Sequence, residues 1–254
     1  MLFKHVLQQC FTFLGSQIKH SKPRWCYSMR RYAGSGSPGT PENKSEWHHE
    51  EHTCQQRESK HHSPVNIVTS KSIFRGYSAL SLELYDKANV ETILQNNGHT
   101  VQISFPKVQL EITGGGMIDN YAAHHLHFHW GSDNEAGSEH YIDSKNFPME
   151  MHIVHFNTMY ENLPAALNQR TGVSVMAFMF EIASQDNQSL AAIITKLPSV
   201  RKPYSSTPLK LPPMACLLPD NLHDFYQYSD ASMSVYPRII WTVFKDTIKI
   251  SESQ

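Results

Sequence analysis

Four histidines lie within six residues of one segment, HHLHFHW (residues 124–130), and their spacing constrains the fold of this 254-residue chain. Alternate side chains of a β-strand share a face, so His125, His127 and His129 are predicted to point one way and His124 the other. Neighbours in this row are about 6.7 Å apart, whereas the outer two, at about 13 Å, are too distant to share one ion at about 2 Å per bond. A metal held here therefore needs a ligand from a neighbouring strand.

The segment MEMHIVH (residues 149–155) can supply that ligand. In a strand, Glu150, His152 and Val154 share one face and His155 lies on the other. Three neutral imidazoles with one open position are typical of a catalytic zinc site, although copper or nickel can bind the same nitrogens. Any single histidine is better explained as an ordinary strand residue, but the combination of two strands favours a metal site.

The chain from Ser63 onward consists of short β-type runs separated by glycine-rich and polar turns, which predicts a strand-dominated single domain with a few short helices. Helical spacing is found in residues 188–197 alone. The predicted strands are residues 65–69, 80–85, 100–105, 108–113, 125–130, 149–156, 173–182 and 239–244.

The region before this domain divides into two parts. Residues 1–24 form a possible signal or targeting segment in an acid-free stretch, either a secretory leader, which we favour, or a mitochondrial transit peptide. Residues 25–62 are predicted to be an N-terminal arm and flexible linker. Their histidine-rich end is interpreted as solvated, with an adventitious metal site as the alternative.

Charge and hydropathy exclude two classes of function. The net charge of −1 and pI near 7.0 argue against nucleic-acid binding, which needs a basic surface. No apolar run approaches the roughly 20 residues of a membrane-spanning helix.

Several segments resemble the signature blocks of the α-class carbonic anhydrases, especially the membrane-anchored, extracellular branch. The blocks are LHFHWG (126–131), GSEH (137–140), EMHIVH (150–155), SPVNI (63–67) and NNGH (96–99), with WCY (25–27) and TGGG (113–116) typical of that branch. The resemblance implies a mainly β (α+β) domain, residues 63–254, built on a large twisted, mostly antiparallel sheet with zinc at the base of a conical cavity. It also implies an extracellular or cell-surface location and, we expect, a monomer.

The resemblance assigns Zn²⁺ to His127, His129 and His152. It implies reversible hydration of carbon dioxide to bicarbonate and a proton, by attack of zinc-bound hydroxide. Glu150 is expected to orient His152. His125 stands where the family has a glutamine that orients the first ligand, and it is expected to take that role.

Further roles follow from the same resemblance. His99 occupies the position of the family's proton shuttle, although spacing alone favours a plain turn histidine. Glu139 matches the carboxylate that works with the catalytic threonine. Val154, Val175 and Trp241 match the apolar pocket that holds carbon dioxide.

The chain departs from the family pattern in the loop that carries this threonine. Counting forward from Tyr228 places Met233 at its position, and a thioether cannot donate a hydrogen bond. Ser234 can take the role if the register slips by one residue, while counting back from Trp241 requires a gap of two residues. Cys54 matches a cysteine whose usual partner beyond the loop is replaced. The domain is expected to be incomplete at its C-terminus, because the family's last strands come after the position of Gln254.

Three hypotheses follow from these residues. The first is an active zinc lyase. The second is a zinc-binding homologue with little or no catalysis because of the altered loop. The third, a non-enzymatic interaction module, is disfavoured because the three ligand histidines are intact.

Overall fold

The computed structural model describes residues 64–106, 110–229 and 238–254, with the backbone alone described at Arg238. The predictions for residues 1–24 and 25–62 lie outside this part of the chain, as do Met233 and Ser234. Among the described residues, no helix is long and apolar enough to cross a membrane.

Thirteen strands and two short α-helices make up the described secondary structure, together with four 3₁₀ segments. The strands are β1 (Asn66–Ile67), β2 (Ser81–Glu83), β3 (Val90–Asn96), β4 (Val101–Ser104), β5 (Glu111–Thr113), β6 (Tyr121–Trp130), β7 (Tyr141–Ile142), β8 (Met149–Asn157), β9 (Arg170–Ala183), β10 (Ser206–Leu211), β11 (Phe225–Ser229), β12 (Arg238–Phe244) and β13 (Ile248–Ser251). The α-helices are α1 (Leu163–Leu167) and α2 (Ala191–Lys196). The 3₁₀ segments are Thr69–Lys71, Gln188–Leu190, Leu197–Val200 and Met214–Leu217.

Eleven of these strands form one large mixed sheet, which confirms the predicted mainly β fold class. Its main order is β10-β3-β4-β6-β8-β9-β12-β11, with β5 beside β6, β2 beside β5 and β13 beside β9. Most pairs are antiparallel, whereas β12 and β13 run parallel to β9. Strands β1 and β7 form a separate parallel pair.

Four strands of the large sheet were not predicted from the sequence: β3, β10, β11 and β13. In β3, Thr92 and Asn96 occupy buried positions, so the apolar side chains do not alternate cleanly with polar ones. Thr92 donates its hydroxyl to Leu209 O at 2.8 Å, and this bond compensates for its burial. Strand β10 contains Pro208, which a strand tolerates at an edge, where β10 lies in the main order.

The prediction that His124 points away from His125 is wrong, because β6 contains a bulge. Pairing with β8 runs from Ala123 opposite His155 to His125 opposite Val154, so His124 is an extra residue. A bulge leaves one residue unpaired and interrupts the alternation of side chains. As a result, Nδ1 of His124 lies 2.8 Å from Nδ1 of His125.

The sheet separates two apolar clusters, and β8 and β9 contribute to both. One cluster takes residues such as Met151, Ile153 and Phe178. The other contains Val175, Trp241 and the apolar residues packed against them. Because Glu150, His152 and Val154 alternate with Met151 and Ile153, the histidine row of β6 and β8 lies on the face of the second cluster.

Acid should destabilise the protein through His155, which is fully buried on the opposite face with its Nε2 2.6 Å from the Tyr85 hydroxyl. Burial lowers the pKa of His155 to about 3, from an ordinary 6.5. Since the unfolded chain takes up the proton first, the contribution of His155 is complete above pH 6.5 and declines towards pH 3. This loss amounts to about 2 kcal/mol at pH 5.

The measurement is the free energy of unfolding in urea at pH 7.5 and pH 5, for metal-free wild type and His155→Gln. The other histidines are common to both proteins, so the difference in pH dependence isolates His155. His223→Gln, at an exposed position, should keep the wild-type dependence. An equal loss in wild type and His155→Gln would contradict the assignment.

Candidate metal centre

Three histidines converge from two adjacent strands. His127 of β6 lies directly opposite His152 of β8, and His129 opposite Glu150. One nitrogen from each of His127, His129 and His152 lies within 4.8 Å of the others. The ring centroids of His129 and His152 are 4.6 Å apart, and those of His127 and His152 are 5.2 Å apart. The spacing deduced from the sequence thus brings together two histidines of one strand and a third from its neighbour.

The imidazoles of His127 and His129 are held in the neutral form that a metal requires. Burial and the neighbouring His152 lower the pKa of His129 to about 3 and that of His127 well below its ordinary value. The buried Nε2 of His129 and Nδ1 of His127 have no hydrogen-bond partner in the described structure. Three imidazoles, two of them with a buried nitrogen that has no hydrogen-bond partner, fit a Zn²⁺ ion.

Glu150 fixes the proton on the third histidine. Its Oε1 lies 2.6 Å from Nε2 of His152. Burial favours the neutral acid, but the adjacent His152 and His140 outweigh it and hold the pKa of Glu150 well below its usual value. An ionised carboxylate only accepts hydrogen bonds, so Nε2 of His152 donates to Glu150, and Nδ1 is the nitrogen left to bind a metal.

Sequence reasoning assigned no role to His140 or Tyr228, which complete this network. His140 is fully buried, with Nδ1 2.5 Å from Glu150 Oε1 and Nε2 2.7 Å from the Tyr228 hydroxyl. Backbone N–H groups of Glu139 and His140 donate to Glu150 Oε2 at 2.7 and 2.8 Å. The block GSEH was the available signal for His140. No sequence signal was available for Tyr228, because its contact with His140 depends on the pairing of β11 with β12.

Glu139 lies beside the metal-facing nitrogens. Its Oε2 is 3.3 Å from Nε2 of His129 and 4.0 Å from Nδ1 of His152. Burial raises the pKa of Glu139 above its ordinary value, against the opposing effect of His152. The carboxylate is thus close enough to influence any group bound at the three nitrogens.

The structure does not give His125 the contact that was expected of it. The ring of His125 stacks on that of His127, with centroids 5.2 Å apart and planes 27° apart. However, Nδ1 of His125 pairs with His124, and Nδ1 of His127 has no partner. The interaction between His127 and His125 is therefore ring stacking instead of a hydrogen bond.

The three residues of the expected substrate pocket lie side by side across three strands. Val154 of β8 is opposite Val175 of β9, which is opposite Trp241 of β12. The Trp241 ring meets His152 edge-on, with centroids 5.0 Å apart. This row forms an apolar wall next to the histidine cluster.

His99 is exposed in the turn between β3 and β4. Its backbone N–H donates to Asn97 Oδ1 at 3.0 Å. The following residue, Thr100, donates its hydroxyl to Phe128 O at 2.5 Å. His99 is thereby linked to β6 beside His129. Ser234, which was also predicted to be catalytic, lies outside the described residues.

Comparison with known proteins agrees with this arrangement. The sequence model of eukaryotic-type carbonic anhydrases matches residues 42–254. Carbonic anhydrase 6 of Mus musculus is 35% identical over 250 residues, which are 95% of this chain and 73% of that protein. Carbonic anhydrase 4 of Rattus norvegicus is 29% identical, over 91% of this chain and 72% of that protein. Carbonic anhydrase 15 of Mus musculus is 34% identical, over 76% of this chain and 63% of that protein. From these matches, the chain belongs to the eukaryotic-type carbonic anhydrase family.

Proposed function

We propose that this protein is a zinc lyase that catalyses the reversible hydration of carbon dioxide to bicarbonate and a proton. The observation that carries the proposal is the convergence of His127, His129 and His152 within 4.8 Å. Family membership supports the reaction class and the choice of metal. Small, uncharged carbon dioxide suits the apolar row of Val154, Val175 and Trp241, where it is held without hydrogen bonds.

The protein's part in this chemistry is to hold and orient the metal. His127, His129 and His152 would hold the ion through three imidazole nitrogens, the ligand set of a catalytic zinc site. A zinc ion held there would supply a nucleophile at neutral pH, because zinc in carbonic anhydrases lowers the pKa of water to about 7. Glu150 retains the Nε2 proton of His152, and the links of Glu150 to His140 and Tyr228 keep that carboxylate in place.

Proton release requires a group that takes up the proton and passes it to solvent, and we assign this role to the exposed His99. His99→Ala should reduce the hydration rate about tenfold or more in weakly buffered solution, with recovery on addition of imidazole. Stopped-flow measurements across a range of buffer concentrations provide the comparison. A variant as fast as wild type at low buffer concentration would remove His99 from the mechanism.

The alternative function is zinc binding with little or no catalysis. It is favoured by Met233 at the position of the family's catalytic threonine, because a thioether donates no hydrogen bond to Glu139. Ser234 supplies a hydroxyl if the loop is shifted by one residue. Met233 and Ser234 at the threonine position therefore predict different activities for the same zinc-loaded protein.

A stopped-flow hydration assay on the full chain, with zinc content measured in parallel, separates the two functions. We expect turnover above buffer for wild type, and an increase of about tenfold or more for Met233→Thr. Ser234→Ala should lower the rate if its hydroxyl replaces that of the threonine. One bound zinc with turnover equal to buffer in wild type supports the alternative, and failure to bind zinc rejects both.

We also propose an extracellular or cell-surface location and a monomeric state. The location is motivated by the acid-free leader and by the resemblance to the extracellular branch. Secretion of a tagged full chain from cultured cells, with removal of the leader, tests it. Retention with mitochondria would favour the transit-peptide alternative, and light scattering of the purified protein would measure its mass.

A further inference from the structure

The bulge in β6 brings two neighbouring histidines together outside the zinc cluster. His124 and His125 have their Nδ1 atoms 2.8 Å apart, and their rings are nearly perpendicular at 84°. Neighbouring residues of a regular strand point to opposite faces, so this contact depends on the extra residue. His124 is exposed and His125 is half-buried, which leaves the pair open to solvent on one side.

The separation of the two nitrogens has the dimension of a metal chelate. Two nitrogens bound at about 2.0 Å and at right angles to each other are about 2.8 Å apart, as in a square-planar copper(II) site. Tetrahedral zinc, by contrast, needs about 3.3 Å between its ligands. Imidazole nitrogens also bind copper(II) more strongly than they bind the other first-row divalent ions.

We propose that His124 and His125 form a copper(II) site separate from His127, His129 and His152. Water completes the coordination of the ion. In the metal-free pair, one Nδ1 donates a hydrogen bond to the other. On binding, the donor imidazole would carry its proton on Nε2 and the exposed His124 ring would turn, so that both Nδ1 lone pairs converge on the ion.

The site lies at the edge of the proposed carbon dioxide pocket. His125 is directly opposite Val154 across the β6–β8 pair, and its ring stacks on the ligand His127. A bound copper ion would therefore be reported by the methyl groups of Val154. The proposal does not depend on catalytic activity, since the protein need only fold and carry zinc.

The experiment adds one equivalent of copper(II) to the zinc-loaded full chain and follows the methyl NMR signals of Val154. Paramagnetic copper should broaden these signals in wild type, and electron paramagnetic resonance should show two equatorial nitrogens. His124→Ala and His125→Gln should each weaken this binding by about tenfold or more. His223→Asn, at an exposed position outside the pair, should bind as wild type does.

The remaining histidines are present in every variant, including the five between residues 48 and 62, so differences between variants isolate the pair. Zinc is measured before and after copper addition. The proposal is overturned if Val154 is not broadened in wild type. It is equally overturned if the broadening persists in both variants of the pair, or if zinc is released in proportion to the copper added.

Discussion

His152→Gln is expected to lose zinc affinity by more than about a hundredfold and to reduce carbon dioxide hydration to the rate of buffer. His152 contributes one of the three converging nitrogens and also donates from Nε2 to Glu150 at 2.6 Å. Glutamine has a similar size and an amide N–H that can still donate to this carboxylate, but it lacks the imidazole Nδ1. The substitution therefore removes the metal-binding nitrogen but keeps a hydrogen-bond donor for the buried carboxylate of Glu150.

The matched control is His155→Gln, the same substitution three residues along β8. His155 is equally buried but lies on the opposite face, where its partner is Tyr85. We expect it to lower the free energy of unfolding by about 1–3 kcal/mol and to keep its zinc. Zinc affinity is measured by competition with a chromophoric chelator, and folding by circular dichroism. Equal zinc loss in both variants would show that folding, not ligation, had been lost.

The face assignments around the site could be predicted because they depend on strand periodicity alone. Placing His127 and His129 on one face of β6, and Glu150 with His152 on one face of β8, requires only that side chains alternate. The direct pairing of His127 with His152 then follows from an antiparallel connection with the observed register. Local sequence was sufficient for this part of the site.

The features that could not be predicted depend on pairing between distant segments. The bulge at His124 is a mismatch in register between β6 and β8, and neither strand shows it alone. The hydrogen bond from Tyr228 to His140 joins residues 88 positions apart and exists because β11 pairs with β12. Strand β13 is also short, and it pairs in parallel with β9, which is distant in sequence. Each case is decided by tertiary contacts that override local propensity.

The loop between β6 and β8 determines whether Glu139 and His140 reach the metal centre, and its packing at Gly137 allows a sharp test. A Cβ at Gly137 would lie 1.9 Å from Pro148 O and 2.7 Å from Gly131 N. Both are backbone atoms, so no side-chain rotation can relieve the clash. The Gly137 N–H also donates to Phe147 O and to Asn146 Oδ1, each at 2.8 Å, which holds the segment in place.

Gly137→Ala is therefore expected to lower the free energy of unfolding by about 3 kcal/mol or more, the upper end of overpacking costs. Zinc affinity should fall about tenfold to a hundredfold, because displacement of the loop breaks the bonds from Glu139 and His140 to Glu150. Gly76→Ala is the control, since a Cβ there has no atom within 4 Å. It should change stability by about 0.5 kcal/mol or less and leave zinc affinity unchanged.

Urea unfolding of the metal-free proteins and chelator competition measure the two effects separately. Reduced stability with wild-type zinc affinity in Gly137→Ala would mean that the loop can move without disturbing Glu150. In that case, the contact of Glu150 with His152, at 2.6 Å within β8, would be sufficient by itself to orient the ligand. Loss of both stability and zinc affinity would instead show that the loop and the two strands act as one unit in holding the metal. Within that unit, His140 of the loop links Glu150 to Tyr228.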